Sequence, residues 1–133
     1  MGYMHINNLY KDTTILLFKE CWALEKIHGT SAHITWQGDD KKIVFFSGGA
    51  KYEHFLTNAL GLVCPADYEY FTTLFEELGH DEVTVYGEAY GGKMQGMKET
   101  YGSELCFIAF DVKIGNTWLS VENAKDVAHK LDL

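Results

Sequence analysis

Residues 24–31 read LEKIHGTS: a lysine, Lys26, near apolar Leu24 and Ile27, followed by a histidine, a glycine and two hydroxyl residues. A neutral lysine amine is a nucleophile suited to covalent catalysis. The same stretch equally describes a solvated strand end whose lysine keeps its charge in water and its stem on the surface. Two other segments bear on the choice. VYGEAYGG at 85–92 carries Glu88 among glycines, and CFIAFDVKI at 106–114 carries Phe110 and Asp111 in an alternating run.

EKIHGT, VYGEAYGG and CFIAFDVKI, in this order and spacing, resemble three motifs of the covalent nucleotidyltransferase superfamily. That superfamily holds ATP-dependent DNA ligases, RNA ligases and messenger-RNA capping enzymes. Its lysine motif is K-x-x-G. DNA ligases and capping enzymes usually carry aspartate before the glycine, whereas this chain has His28, which looks like the RNA ligase 2 type of nick-sealing and editing ligases. The resemblance runs from about Ile6 to the end of the chain.

The resemblance implies that Lys26 attacks the α-phosphate of ATP, expels pyrophosphate and becomes a lysine-AMP phosphoramide. An ordinary lysine, near pKa ~10.4, is neutral in about one molecule in a few thousand at neutral pH, so the family chemistry calls for burial and neighbouring cations around the amine. Glu88 matches the glutamate that accepts a hydrogen bond from the ribose; an ionised carboxylate only accepts, which suits a sugar hydroxyl. Phe110 matches the aromatic that stacks on adenine, a contact of about 1–3 kcal/mol. His28 would orient groups at the α-phosphate or hold the lysine strand, and the backbone at Glu25 and Ile27 would read the adenine edge. Strict strand alternation puts Phe110 and Asp111 on opposite faces, with Asp111 behind the site and in reach of His28. Gly87, Gly91 and Gly92 permit close backbone approach.

Two departures limit the match. The family places an arginine after the lysine motif; this sequence contains eleven lysines and no arginine, leaving Lys51 in SGGAKY as the substitute, charged but without a bidentate fork. The family's later motifs, a metal-binding glutamate and a pair of triphosphate-binding lysines, are not found before Leu133. The chain is therefore expected to be the N-terminal part of an RNA ligase adenylylation domain, 1–133 as one domain, weak or inactive alone. ATP and Mg²⁺ are the implied cofactors, with the metal ligands unknown. RNA ends are the implied substrate of the complete enzyme. Uncovered sheet edges and apolar faces suggest self-association or a complementing chain. The rival readings are a DNA ligase or capping-type enzyme, and a fold that binds adenine nucleotide without turnover.

These motifs need elements to position them. SAHITWQGDDKKIVFFSGG predicts a β-hairpin over about Ala32 to Ser47 with a polar turn. PADYEYFTTLFEELGH predicts a helix, with Phe71, Leu74, Phe75 and Leu78 at helical spacing, Pro65 at its start and Gly79 as its stop. EVTVYGEAYGG reads as a strand, ELCFIAFDVKI with GN and TWLS as a second hairpin. SVENAKDVAHKLDL reads as a terminal helix capped by Ser120, with Val121, Ala124, Val127, Ala128 and Leu131 on one face. The expected class is α+β: mainly antiparallel sheets with two or more helices, part of a nucleotidyltransferase fold.

Composition narrows the rest. A net charge of −8 disfavours tight nucleic-acid binding by this chain alone. Cys21, Cys64 and Cys106 are odd in number and widely spaced, which predicts buried thiols in a reducing cytoplasm. No secretory signal is visible at Met1 to Tyr10 and no apolar run is long enough to span a membrane.

Overall fold

A computed structural model describes residues 2–133, in which five strands form one antiparallel sheet in the order β2-β1-β3-β4-β5. The first hairpin is β1 (Thr30–Gln37) and β2 (Lys42–Ser47), with β1 beginning at Thr30 rather than Ala32 because Thr30 and Ser31 already pair with Ala89 and Glu88. The central strand β3 (Glu82–Gly91) lies between β1 and β4 (Leu105–Ile114). The second hairpin closes onto the two-residue β5 (Thr117–Trp118), its turn made by Gly115 at φ +54 and Asn116.

Helices cover one face of the sheet. A short α1 (Tyr52–His54) runs into a π-helical turn at Phe55–Ala59. The expected amphipathic helix is α2 (Pro65–Glu77): Pro65 occupies its first turn, where a missing N–H costs nothing, and Asp67 accepts bonds from the Val63 and Cys64 amides at 2.9 and 2.8 Å. Those amide donors, Cys64 foremost, hold the Asp67 carboxyl below its usual range. The chain leaves α2 through Gly79 at φ +69. After the short α3 (Lys98–Tyr101), the terminal helix α4 (Val121–Lys130) begins as expected, with the Ser120 hydroxyl accepting from the Asn123 amide at 3.3 Å. Its apolar stripe buries Ala124, Ala128 and Leu131.

Strand alternation divides the residues between two faces. Ile34, Trp36, Val83, Val85 and Val112 point towards the helices and form the main core with Phe71, Phe75, Ala124 and Leu131. Ala32, Ala89 and Leu105 make a second cluster around Phe55. The opposite face carries His33, Tyr86, Glu88 and Asp111, and its apolar side chains Val44, Phe46, Ile108 and Phe110 are exposed.

His33 is 7% exposed and its Nδ1 has no hydrogen-bond partner among the described residues. It stacks on Phe46, with ring centroids 4.8 Å apart, and leans on Tyr86. Burial disfavours the imidazolium and lowers the pKa from the ordinary 6.5. The unfolded chain therefore takes up this proton first as pH falls. Stability from the neutral ring is complete above pH 6.5 and is lost as pH drops below it towards the folded value, with a slope of at most about 1.4 kcal/mol per pH unit. Urea unfolding at a series of pH values should show a steeper acid loss in wild type than in His33→Phe; equal slopes would refute the assignment.

The expectation of buried cysteines is not met. Cys21 and Cys64 are exposed and Cys106 is half-buried. Cys64 sits at the N-cap of α2, where backbone amides meet solvent, and Cys21 lies in an irregular stretch that no helix covers. All three are free thiols. No described helix is long and apolar enough to cross a membrane.

Candidate nucleotide site

The sheet order brings the three motif segments side by side. β3 runs between β1 and β4, so the end of the lysine segment lies next to Glu88, and Glu88 lies next to the Phe110 segment. The join is direct: the Gly29 amide donates to Glu88 Oε1 at 3.1 Å. A Cβ on Gly29 would stand 2.2 Å from the Ala89 carbonyl oxygen, so only glycine lets the chain pass β3 this closely. Gly29→Ala must push β1 from β3 and break the Glu88 contact, because the obstacle is backbone. The expected cost is about 1–3 kcal/mol, read as a lowered midpoint in urea unfolding; an unchanged midpoint would count against this packing.

The rest of the lysine segment is open. Lys26, Glu25 and His28 are exposed and Ile27 is half-buried, all in irregular backbone ahead of β1. Among the described residues Lys26 thus lacks the burial that the expected chemistry calls for, although Ile27 is half-buried and the His28 amide reaches Tyr101 of α3. Lys51 is also exposed, at the N-cap of α1, where its carbonyl accepts from the Phe55 amide at 2.9 Å. Its loop leaves β2 at the same end of the sheet, where the Gly48 amide bonds Ser31 O at 2.9 Å. Neither described ion pair includes Lys26 or Lys51.

Phe110 and Asp111 differ from expectation. Tyr86 pairs with Asp111 but Gly87 pairs with Ala109, so Phe110 is an extra residue in a bulge. A bulge breaks the alternation of a strand and re-aims its side chains. Both residues therefore meet the same ring: Tyr3 packs on Phe110 with centroids 5.0 Å apart and donates its hydroxyl to Asp111 Oδ2 at 2.9 Å. The expected Asp111–His28 bond does not form. Asp111 instead accepts from Tyr3 and, through Oδ1, from the Val112 amide at 2.9 Å.

Two tyrosines joined to the site escaped the sequence reading. The Tyr101 hydroxyl accepts from the His28 amide at 3.3 Å, across 73 residues of sequence, and its ring faces the edge of Tyr90 at 5.5 Å. Tyr3 lies 108 residues from Asp111. No local pattern marks either, since the partners meet only through the folded sheet.

Phe110 offers a partly exposed ring, and Glu88 keeps acceptor capacity beyond its bond to Gly29. Among the described residues no group of three or more His, Cys, Asp or Glu is placed to hold a metal ion.

The five-stranded antiparallel sheet and the K-x-x-G segment bonded to a neighbouring glutamate agree with the α+β nucleotidyltransferase fold expected from the motifs. The RNA ligase family model matches residues 19–133, and the chain belongs to that family. Among solved structures it is similar to a lysine-to-methionine mutant of the Naegleria gruberi RNA ligase with AMP and Mn, at 18% identity and a TM-score of 0.54. The similarity covers 80% of this chain and 31% of that one, so the chain spans about a third of that ligase's length. No curated protein matches significantly in sequence.

Proposed function

We propose that this chain is the nucleophile-bearing part of an RNA ligase adenylylation domain, in which Lys26 takes AMP from ATP. The amine of Lys26 attacks the α-phosphorus, a nitrogen–phosphorus bond forms, the bond to pyrophosphate breaks, and the displaced amine proton passes to water. In the complete enzyme the AMP then moves to an RNA 5′-phosphate, and an RNA 3′-hydroxyl displaces it to seal the strand. Glu88 accepts a ribose hydroxyl and Phe110 stacks on adenine. The backbone at Glu25 and Ile27 lies along the base edge, His28 holds the turn near the α-phosphate, and Lys51 meets phosphate. Asp111 lines the base side of the site.

The observation that carries this reading is the Gly29 amide on Glu88 Oε1, which ties the lysine segment to the proposed ribose acceptor beside Phe110. Histidine at position 28 favours RNA ligases over DNA ligases and capping enzymes. The RNA ligase of Naegleria gruberi with AMP and Mn supports a nucleotide and a divalent cation as reactants, and Mg²⁺ accompanying the triphosphate is the proposed cation. The three free thiols suit a reducing cytoplasm.

Incubation of the chain with α-labelled ATP and Mg²⁺, followed by peptide mapping, tests the proposal. Alkali-stable label that is released by acid and by acidic hydroxylamine, on the peptide containing Lys26, is the expected result. A second reading draws on the exposure of Lys26: by itself the chain binds adenine nucleotide without transfer. Nucleotide binding with no label would favour it, and labelling by GTP would revive the capping alternative.

A further inference from the structure

Tyr3 occupies an aromatic box on the open face of the sheet. Its ring lies 5.3 Å from Tyr86, 5.0 Å from Phe110 and 5.6 Å from Trp118, centroid to centroid, meeting the last two edge-on. Its hydroxyl points at a carboxylate, Asp111 Oδ2, at 2.9 Å. The residues around it otherwise make little regular structure: between Gly2 and Gly29 the chain forms one 3-10 turn, Thr14–Leu17, with no buried residue. Tyr3 thus ties the start of an otherwise open segment to the sheet, far along the chain from the Gly29–Glu88 bond at its other end.

The box has the chemistry of a base site. Aromatic walls accept any planar π-system, and a carboxylate at the end accepts a hydrogen bond from the ring's edge. Adenine is planar and carries an exocyclic amine donor, so it offers the box what the phenol offers, whereas guanine presents a carbonyl oxygen on the corresponding edge. Glu88 and Tyr86, two residues apart on β3, share the face, which places the box next to the proposed ribose acceptor.

We propose that Tyr3 is an internal stand-in for the adenine base, so that nucleotide entering this site must displace the N-terminal segment. This rests on the reading of Phe110 as the base-stacking ring. Tyr3 then acts as a tethered competitor, weakening nucleotide binding until the base takes over both the aromatic box and the Asp111 acceptor. Burial and the Asp111 bond push the Tyr3 phenol up to about 12, so it remains a donor throughout the physiological range.

Calorimetric titration of wild type, Tyr3→Phe and Tyr3→Ala with AMP tests this. Tyr3→Ala, which empties the box, should bind AMP about 10-fold more tightly than wild type, and Tyr3→Phe, which keeps the ring but loses the Asp111 bond, should fall between them. AMP added to wild type should also speed amide exchange over residues 2–6. Equal affinity in wild type and Tyr3→Ala overturns the proposal while leaving the nucleotide site intact. Weaker binding by Tyr3→Ala overturns it too, making Tyr3 a wall of the pocket. No AMP binding by any of the three overturns both the proposal and the nucleotide reading.

Discussion

Lys26→Ala is expected to reduce covalent labelling by α-labelled ATP to background while leaving the thermal unfolding midpoint in place. The side chain is exposed, sits in irregular backbone and enters neither described ion pair, so its loss should alter stability by no more than about 0.5 kcal/mol. Activity and stability therefore separate at this position, which is the signature of a nucleophile rather than a packing residue. Lys26→Arg should fail as completely as alanine, although it preserves charge and length. A guanidinium stays protonated and has no free electron pair for phosphorus. Wild-type label that survives in either variant would place the adduct elsewhere and defeat the lysine-AMP proposal.

Phe75→Ala is expected to have the largest effect on stability, about 3–5 kcal/mol. Phe75 is fully buried on α2, stacked on Trp36 with centroids 5.9 Å apart and edge-on to Phe71 at 5.2 Å. Removing the ring opens a cavity between helix and sheet, and each lost aromatic pair contributes about 0.5–1.5 kcal/mol of that cost. Domains of this kind are stable by only about 5–15 kcal/mol, so the variant should lose a large share of its margin and melt on the order of 10 °C or more below wild type. Phe46→Ala, on the open face and 46% exposed, is the natural contrast. Comparable losses in both would mean that the two faces are not distinguished as described.

The open face also gives physical content to the proposed self-association or complementing chain. Val44, Phe46, Ile108 and Phe110 are exposed on the side opposite the helices, and Tyr3 covers only the part near Phe110. Exposed apolar side chains on a sheet favour coverage by another surface.

Local chemistry determined much of this protein. Alternation in β1 and β2 around QGDD, the helical spacing of Phe71 and Phe75 after Pro65, and the Ser120 cap were readable because each depends on residues within a turn or two of one another. The order of the lysine, glutamate and phenylalanine motifs was equally plain, and with it the RNA ligase family. Tertiary structure decided the rest. The extra residue at Phe110 appears only when β4 is laid against β3, and that register turned Asp111 to the same side as Phe110 and away from the expected bond to His28. The seats of Tyr3 and Tyr101 depend on contacts across 108 and 73 residues. Exposure of Lys26 and of Cys21 went with the irregular backbone ahead of β1, which no local pattern announced. Periodicity describes what a segment can form with itself; register and coverage belong to its neighbours, and those are set by packing over the whole sheet.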